Sequence, residues 1–501
     1  MKALKLIPVL AVASALFLAG CNGTSYNINK DQQRPDGMTY YEEYNTYIKP
    51  KLEVGDFDGA AIYVGAKTTD KDGVVMDREE QLDDLVKNTP ELVLLERGLI
   101  SLNSGNYKQA ILYFDAAEIK LEQAETKSGT LTDITKASQD ALVVMTGSAE
   151  SGDYWLRGYE KVMLFNYKAF CYMLMGDRRA YNVTRKAIDM QQQEWEELRP
   201  QIEKAQEDLA AKKAENPDMA QYIENESQHG TVEDRIQALN AFVNPFGDYI
   251  DGMIMDIDSI QNKAMRDNAR IAYQKVLELN PNCTAAKNAI AELKKKNPPA
   301  GQKLVHVILA EGFQPYKEVH TTEDGIKYTT LTEQISPFAA ARVTPLNKNG
   351  KNLTSAQALS PLSLITNIAL RDYMAYQPMR ELLYWRTLLA AQVAPGLISS
   401  LTSDKDVGAL GAWATKALVM EFQNPETRSW STLPRQVQVI RFYVPNSAAS
   451  IKLETLAEGK QKIAETTVPL SANGPTVVYA VNYNQYIQAL ANEISWVDNA
   501  K

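Results

Sequence analysis

The sequence predicts an α+β multidomain fold, with an α-helical N-terminal half and a mixed α+β C-terminal domain. Two observations carry that prediction and a third sets its scale. Apolar residues before residue 297 recur at the three- and four-residue spacing of helices. Beyond Asn297-Pro298-Pro299-Ala300-Gly301, β-rich runs alternate with helical ones. With 501 residues, 45% hydrophobic and 23% charged, the chain can bury large cores in more than one domain. The expected divisions are 1–20, 21–60, 61–297 and 301–501.

The first twenty residues read as an export signal. Lys2 and Lys5 give a positive start, and Leu6 to Leu18 is apolar except at Pro8 and Ser14. That run is too short to span a bilayer comfortably. Leu18-Ala19-Gly20-Cys21 then spells a lipobox. Small residues before Cys21 let a signal peptidase cleave there, and the Cys21 thiol takes a diacylglycerol. Two or three acyl chains on one cysteine hold a protein to a membrane, where a single chain binds only marginally. The following Asn22 fits export to the outer membrane, a sorting rule that resemblance to Gram-negative lipoproteins implies. Residues 22–37 are rich in Gly, Ser, Asn, Gln and Asp and read as a solvated tether; the expected division carries this tether to residue 60. The expected location is the outer membrane, lipid-anchored and facing the periplasm, with surface exposure left open.

The formal net charge is −9, which argues against nucleic-acid binding, because that rests on phosphate neutralisation by Lys and Arg. No later stretch of apolar residues is long enough for a second span. Cys171 and Cys283 are expected as buried free thiols rather than a disulfide.

Residues Glu91 to Ala117 carry the clearest internal pattern. Gly98 and Ala110 are small residues expected to face each other where two helices cross. Tyr107, Phe114 and Ala117 fill the space beside them, and Gly105 and Asn106 make the turn. Ala169, Tyr172 and Gly176 repeat the first half of this pattern more loosely, with Tyr181 where a small residue belongs. Ala269, Tyr273 and the helix-ending Pro281 repeat part of it again. These three pieces resemble tetratricopeptide repeats, though not in regular tandem. Between them, Ile188, Gln191, Trp195, Leu198, Ile202, Ala205 and Leu209 form a heptad-like seam. Asn216-Pro217-Asp218 breaks it, and Val232, Ile236, Leu239 and Val243 resume it. A helical hairpin is expected, kinked or interrupted at Pro200.

In the second half, Leu304 to Leu309, Lys327 to Glu333, Ala339 to Val343, Val437 to Val444, Ser450 to Leu456 and Thr476 to Val481 are expected strands. Leu359 to Asp372, Met379 to Ser400 and Val407 to Phe422 are expected helices.

The common catalytic spellings are absent from the sequence: no G-x-S-x-G, H-E-x-x-H, Walker loop, S-x-x-K or C-x-x-C occurs. No cofactor or metal is expected, and His306 and His320 read as a core residue and a loop residue. Three stretches combine turn formers, aromatics and charge: Ala310 to Glu318, Asn244 to Tyr249, and Thr427 to Pro434. Tyr316, Lys317, Arg428 and Trp430 within them are candidate binding-loop residues for a peptide or glycan; the competing reading is a set of packed loops.

These segments, with the lipobox and the Tyr159-to-Gly176 helix, resemble an uncharacterised family of Gram-negative outer-membrane lipoproteins with tetratricopeptide-like repeats in the N-terminal half. The resemblance implies a partner in cell-wall synthesis or envelope assembly. The leading expectation is therefore a membrane-anchored periplasmic scaffold or adaptor that holds envelope proteins through its repeat-like helices. The alternatives are a surface glycan-binding lipoprotein serving an outer-membrane transporter, or an envelope hydrolase in the C-terminal domain.

Overall fold

A computed structural model of the chain describes residues 38–130, 154–215, 244–321, 327–375 and 426–496, apart from positions 155, 296 and 473. The described residues form a mixed α+β protein. Three short helices come first: α1 (Tyr40–Tyr47), α2 (Lys49–Glu53) and α3 (Phe57–Tyr63). A small hairpin, β1 (Lys67–Thr69) and β2 (Val75–Asp77), separates them from α4 (Leu82–Asn88). The larger helices follow: α5 (Glu91–Asn103), α6 (Tyr107–Thr130), α7 (Gly158–Leu174), α8 (Arg179–Glu215), α9 (Pro245–Asp258), α10 (Met265–Leu279) and α11 (Thr284–Leu293). Consecutive helices α5/α6, α7/α8 and α9/α10 pack as pairs, and α6 meets α7 while α8 meets α9.

Local chemistry accounts for several of these elements. Thr39 and Glu42 form a reciprocal cap at the start of α1, each side chain accepting from the other's backbone N–H at 3.2 and 2.6 Å. Gly105 makes the α5–α6 turn at φ +83, a conformation that penalises any Cβ. Helix α5 is buried along its whole length, from Glu91 to Asn103. A Cβ placed on Gly98 would overlap the Phe114 ring, so the bare backbone of α5 admits Phe114 of α6. Phe114 therefore takes the place opposite Gly98 that the sequence assigned to Ala110. Ala110, Phe114 and Ala117 are all fully buried, and Tyr107 is partly so. Ala269 and Tyr273 lie buried on α10, where the Tyr273 ring closes on Gly252 of α9. Pro281 stands just beyond the end of α10.

The second half contains strands β3 (Gln302–Glu311), β4 (Tyr316–Thr321), β5 (Lys327–Thr332), β6 (Ala340–Leu346), β7 (Gln357–Ala358) and β8 (Ser360–Ser363), then helix α12 (Ile365–Ala375). Strands β9 (Gln436–Pro445), β10 (Ser450–Leu456), β11 (Lys462–Pro469), β12 (Thr476–Asn482) and β13 (Ile487–Glu493) complete it. The main sheet has the order β13-β12-β3-β9-β8, with β12 and β3 parallel and the other neighbours antiparallel. A second sheet has the order β11-β10-β6-β7, and β4 and β5 form a separate hairpin.

Side-chain alternation splits the main sheet between two cores. Leu304, Ile308, Val437, Val439, Val477 and Tyr479 join the cluster formed with the helices. Val305, Val307, Leu309, Ile440, Phe442 and Val478 join the cluster with Val343, Ile451 and Leu453 of the second sheet. Helices, main sheet and second sheet thus form three layers. A sheet buried on both faces explains why Leu304, Val305, Val307, Ile308 and Leu309 are apolar on both faces of β3, with His306 the one polar residue among them.

Several expectations need correction. Residues 40–60 were assigned to the tether, yet Tyr40, Tyr44, Ile48 and Leu52 are core residues of α1 and α2. The Pro298-Pro299 break marks a change of secondary structure only, because one apolar cluster runs from Tyr40 to Ile494 across it. Residues 359–363 were read as the start of a helix; Ser360–Ser363 instead pair with β9, and Asn280 Nδ2 donates to the carbonyls of Pro361 and Leu362 at 2.9 Å each. Helix α8 continues through Pro200 without interruption. The signal and Cys21, the seam residues 232–243 and the helices expected at 379–400 and 407–422 lie outside the described residues.

The Gly98 contact gives a direct test. Gly98→Ala should destabilise the whole chain by about 1–3 kcal/mol, because the added methyl meets a fixed ring in a filled core. Lys108→Gln on the exposed face of α6 should stay within about 0.5 kcal/mol of wild type. Equal urea midpoints for the two variants would remove the proposed reason for glycine at 98.

Candidate functional site

The densest chemistry lies where the helical layer meets the segment Thr427–Leu433. This segment runs without strand pairing, so its backbone N–H groups need other partners. Those of Trp430, Ser431 and Thr432 find them on two helices. Glu96 of α5 accepts from the N–H of Ser431 at 2.7 Å and of Thr432 at 3.1 Å. The Thr432 hydroxyl donates to the same carboxylate, and Tyr40 Oη approaches it at 3.4 Å. Glu160 of α7 accepts from the Trp430 N–H at 2.8 Å, the Tyr154 hydroxyl at 2.7 Å and the Arg157 N–H at 3.0 Å. Both carboxylates are fully buried.

Trp430 sits between the helices as the apolar half of this grip. Its ring is 6.1 Å from Phe114 of α6 and 6.0 Å from Tyr167 of α7, both edge-on, and its Nε1 donates to Thr432 Oγ1 at 3.1 Å. Gln314 donates to the Trp430 carbonyl at 2.5 Å and accepts from the Tyr159 hydroxyl at 3.2 Å. Arg428 is buried, ion-paired with Glu426 at 2.5 Å and stacked over Tyr154. Lys317 donates to the Arg428 carbonyl at 2.7 Å. Tyr316 stacks on Tyr41 with ring centroids 4.1 Å apart.

Burial pushes Glu96 up to about 8 from the ordinary carboxylate value, against the pull of its hydrogen bonds from Ser431 and Thr432. Burial also raises Glu160, against the bonds from Trp430, Arg157 and Tyr154. Lys317 is lowered, chiefly by burial.

A second buried group joins helix α9 to the main sheet. His306 on β3 and Arg441 on β9 are register partners and point to the helix side. Arg441 Nε and Nη2 donate to Asp256 of α9 at 2.7 and 3.0 Å, and His306 Nε2 lies 3.3 Å from Asp256 Oδ2. Burial opposes charge on Asp256, but Arg441 and His306 outweigh it and hold this carboxyl well below its usual range. Burial lowers His306, against the pull of Asp256. The Tyr249 ring stands edge-on to His306 at 6.5 Å. Among the described residues no group of three or more His, Cys, Asp or Glu side chains is arranged to hold a metal ion.

The structure thus gathers the four predicted loop residues around one region, yet it removes Arg428 and Trp430 from any surface rim. The packed-loop reading holds for them. Cys171 and Cys283 are free and buried. His320 lies on β4 rather than in a turn, with Nε2 2.7 Å from Thr330 Oγ1. Sequence reasoning missed Glu96, Glu160 and Asp256. A signal existed for Glu96: Glu96-Arg97 interrupts the apolar run Leu92–Leu102, and charges inside a helix that is apolar all round demand buried partners. Arg97 finds its own in the Val64 carbonyl at 2.6 Å and Glu80 at 3.2 Å. Comparisons with family models, with curated proteins and with solved structures find no match to this chain.

Glu96→Gln should cost about 1–3 kcal/mol, because an amide NH2 in either carboxylate position would oppose a backbone N–H. The same variant tests the titration. A carboxyl raised in the folded state stabilises fully below its unfolded pKa and loses that contribution as pH rises through its folded value. Wild type should therefore lose more stability than Glu96→Gln between pH 7 and 9. Parallel urea midpoints across that interval would contradict the assignment. Separately, Asp256→Asn should cost about 3–5 kcal/mol by stranding Arg441, and adding Arg441→Met should recover part of it. A double variant less stable than Asp256→Asn alone would rule out the stranded charge as the cause.

Proposed function

We propose that this chain is a lipid-anchored adaptor of the bacterial envelope, holding partner proteins through its outer helical faces. The observation that carries the reading is the grip on Trp430–Thr432. Carboxylates from two separate helix pairs receive the main-chain amides of one segment that turns at Ser431-Thr432, and aromatic residues of both pairs enclose its tryptophan. That is peptide-holding chemistry, here directed at the chain's own segment. The helix pairs α5/α6, α7/α8 and α9/α10 are read as tetratricopeptide-like units, and the lipobox at Cys21 as the anchor. Because the chain fills the inner helical surface itself, the partner meets the outer faces. The partner class that the sequence resemblance implies is cell-wall synthesis or envelope-assembly machinery. No helix among the described residues is long and apolar enough to cross a membrane, which accords with attachment by lipid.

Two measurements test this. The wild type should incorporate labelled palmitate and begin at Cys21 after processing, whereas Cys21→Ala should take up none. Crosslinked cells should yield an envelope protein enriched above a soluble control. Absence of palmitate would remove the anchor, and capture no better than the control would remove the adaptor role.

A further inference from the structure

An acyl anchor at Cys21 brings one face of the folded body to the bilayer. Three exposed apolar side chains converge at one end of the main sheet. Ile335 is fully exposed, Val54 is 70% exposed and Tyr486 44%. Tyr486 lies in the loop between β12 and β13, and a Cβ on Gly55, next to Val54, would overlap its ring. Ile335 follows Gln334, which accepts from Lys49 Nζ at 2.7 Å and donates to the Gln314 carbonyl at 2.8 Å. Gly312 N donates to the Asn482 carbonyl at 2.9 Å, so the loops after β3 and β12 are side by side. All three apolar residues therefore surround the ends of these two parallel strands.

The chain enters the fold at the same end. Thr39 caps α1, and Tyr41 in its first turn stacks on Tyr316, just past the end of β3. Sixteen residues separate Cys21 from Met38, so an acylated Cys21 lies at most about 60 Å from this end even when fully extended. Half-buried Tyr41 and Tyr316 lie at the rim, a placement suited to the polar–apolar boundary of a membrane. The charges nearby do not favour an anionic surface. Lys51 is paired with Asp56 at 3.6 Å and Lys67 with Asp58 at 2.6 Å, and Glu53 stands close enough to act on Lys49, so the local charge is near balance.

Resting on the lipoprotein reading, we propose that the end carrying Val54, Ile335 and Tyr486 is the membrane-facing surface, seated by apolar contact on a neutral phospholipid leaflet. An exposed apolar group gains by leaving water, and the anchor holds this end close enough for weak contacts to persist. The opposite end of β3, a ten-residue strand away, then points away from the bilayer.

The test uses the full lipidated chain with one added surface thiol, Ile335→Cys or Ser447→Cys. Ser447 is exposed, beyond Asn446, whose N–H donates to Gly301 at the start of β3; this is about 30 Å from Ile335 along the strand. The native Cys171 and Cys283 are buried and stay unlabelled. Each thiol carries a polarity-sensitive dye, and the protein is reconstituted into phosphatidylethanolamine–phosphatidylcholine vesicles. Dye at 335 should shift to the blue and be quenched by a nitroxide lipid, equally at low and high salt, while dye at 447 should do neither. Protein that fails to float with the vesicles overturns the anchor and the face together. Protein that floats, with both dyes unaffected or responding alike, overturns the face alone. A shift at 335 that grows with protein concentration in detergent, without vesicles, assigns the face to a second copy and also overturns the proposal.

Discussion

A carboxylate shut away from water has to be met by N–H and O–H donors, or it is lost as a charge. Glu96 and Glu160 impose that requirement on opposite sides of the same segment. The N–H groups of Trp430, Ser431 and Thr432 would in turn be orphaned without the two helices. Neither side is satisfied alone. The segment leads directly into β9, so fixing it also fixes where that strand begins against β3. Each N–H accepted by an ionised carboxylate is a charge-assisted bond, stronger than a neutral one, and burial raises the pH at which Glu96 ionises to about 8. Removing one partner exposes the full desolvation cost of the other.

The same reciprocity recurs where the helices meet the sheet. The helix-facing side of β3 and β9 carries His306 and Arg441 side by side, and an unbalanced pair there would sit in an apolar layer. Asp256 supplies the balance from α9, just as Asn103 at the end of α5 joins Tyr479 and Tyr483 of the β12 region at 2.8 Å each. These polar contacts select one docking angle of helices on sheet, while the area buried by the apolar cluster supplies the driving force. Helices and sheet therefore share their core, and the proline-rich join between them lies within one continuous apolar cluster.

Much of the fold could be read before any coordinates. Strand β10 matches its expected bounds, and β3, β6, β9 and β12 differ by a few residues, because alternation and β-branched runs are local signals. Strand β8 was missed because four residues containing Pro361 look like the approach to the helix that follows at Ile365. The order β13-β12-β3-β9-β8 was not legible, since it joins strands far apart in sequence. The site was hidden for the same reason: Glu160 meets Trp430 at a separation of 270 residues, Glu96 meets Thr432 at 336, and Asp256 meets Arg441 at 185. What the sequence did offer was the Arg-x-Trp-x-Thr-Leu-Pro spelling itself. Its mixture of charge, aromatic and turn former was equally suited to a rim or to a packed loop, and only the positions of Glu96 and Glu160 decide between them.

The filled inner surface also constrains how an adaptor of this shape can work. Displacing Trp430 would expose two carboxylates and the ring faces of Phe114 and Tyr167 at once, so a competing peptide would have to replace every one of those contacts to break even. Binding by exchange at that surface is therefore energetically remote. On the proposed adaptor reading, partner recognition falls to exposed side chains of the helices, such as Glu122 and Lys186, which pair across α6 and α8 at 2.8 Å. Those groups are already paired with one another, so a partner gains little by merely adding charge. It gains by shape, by excluding water from pairs that solvent now screens, and by meeting a surface that the internal grip has made rigid beforehand.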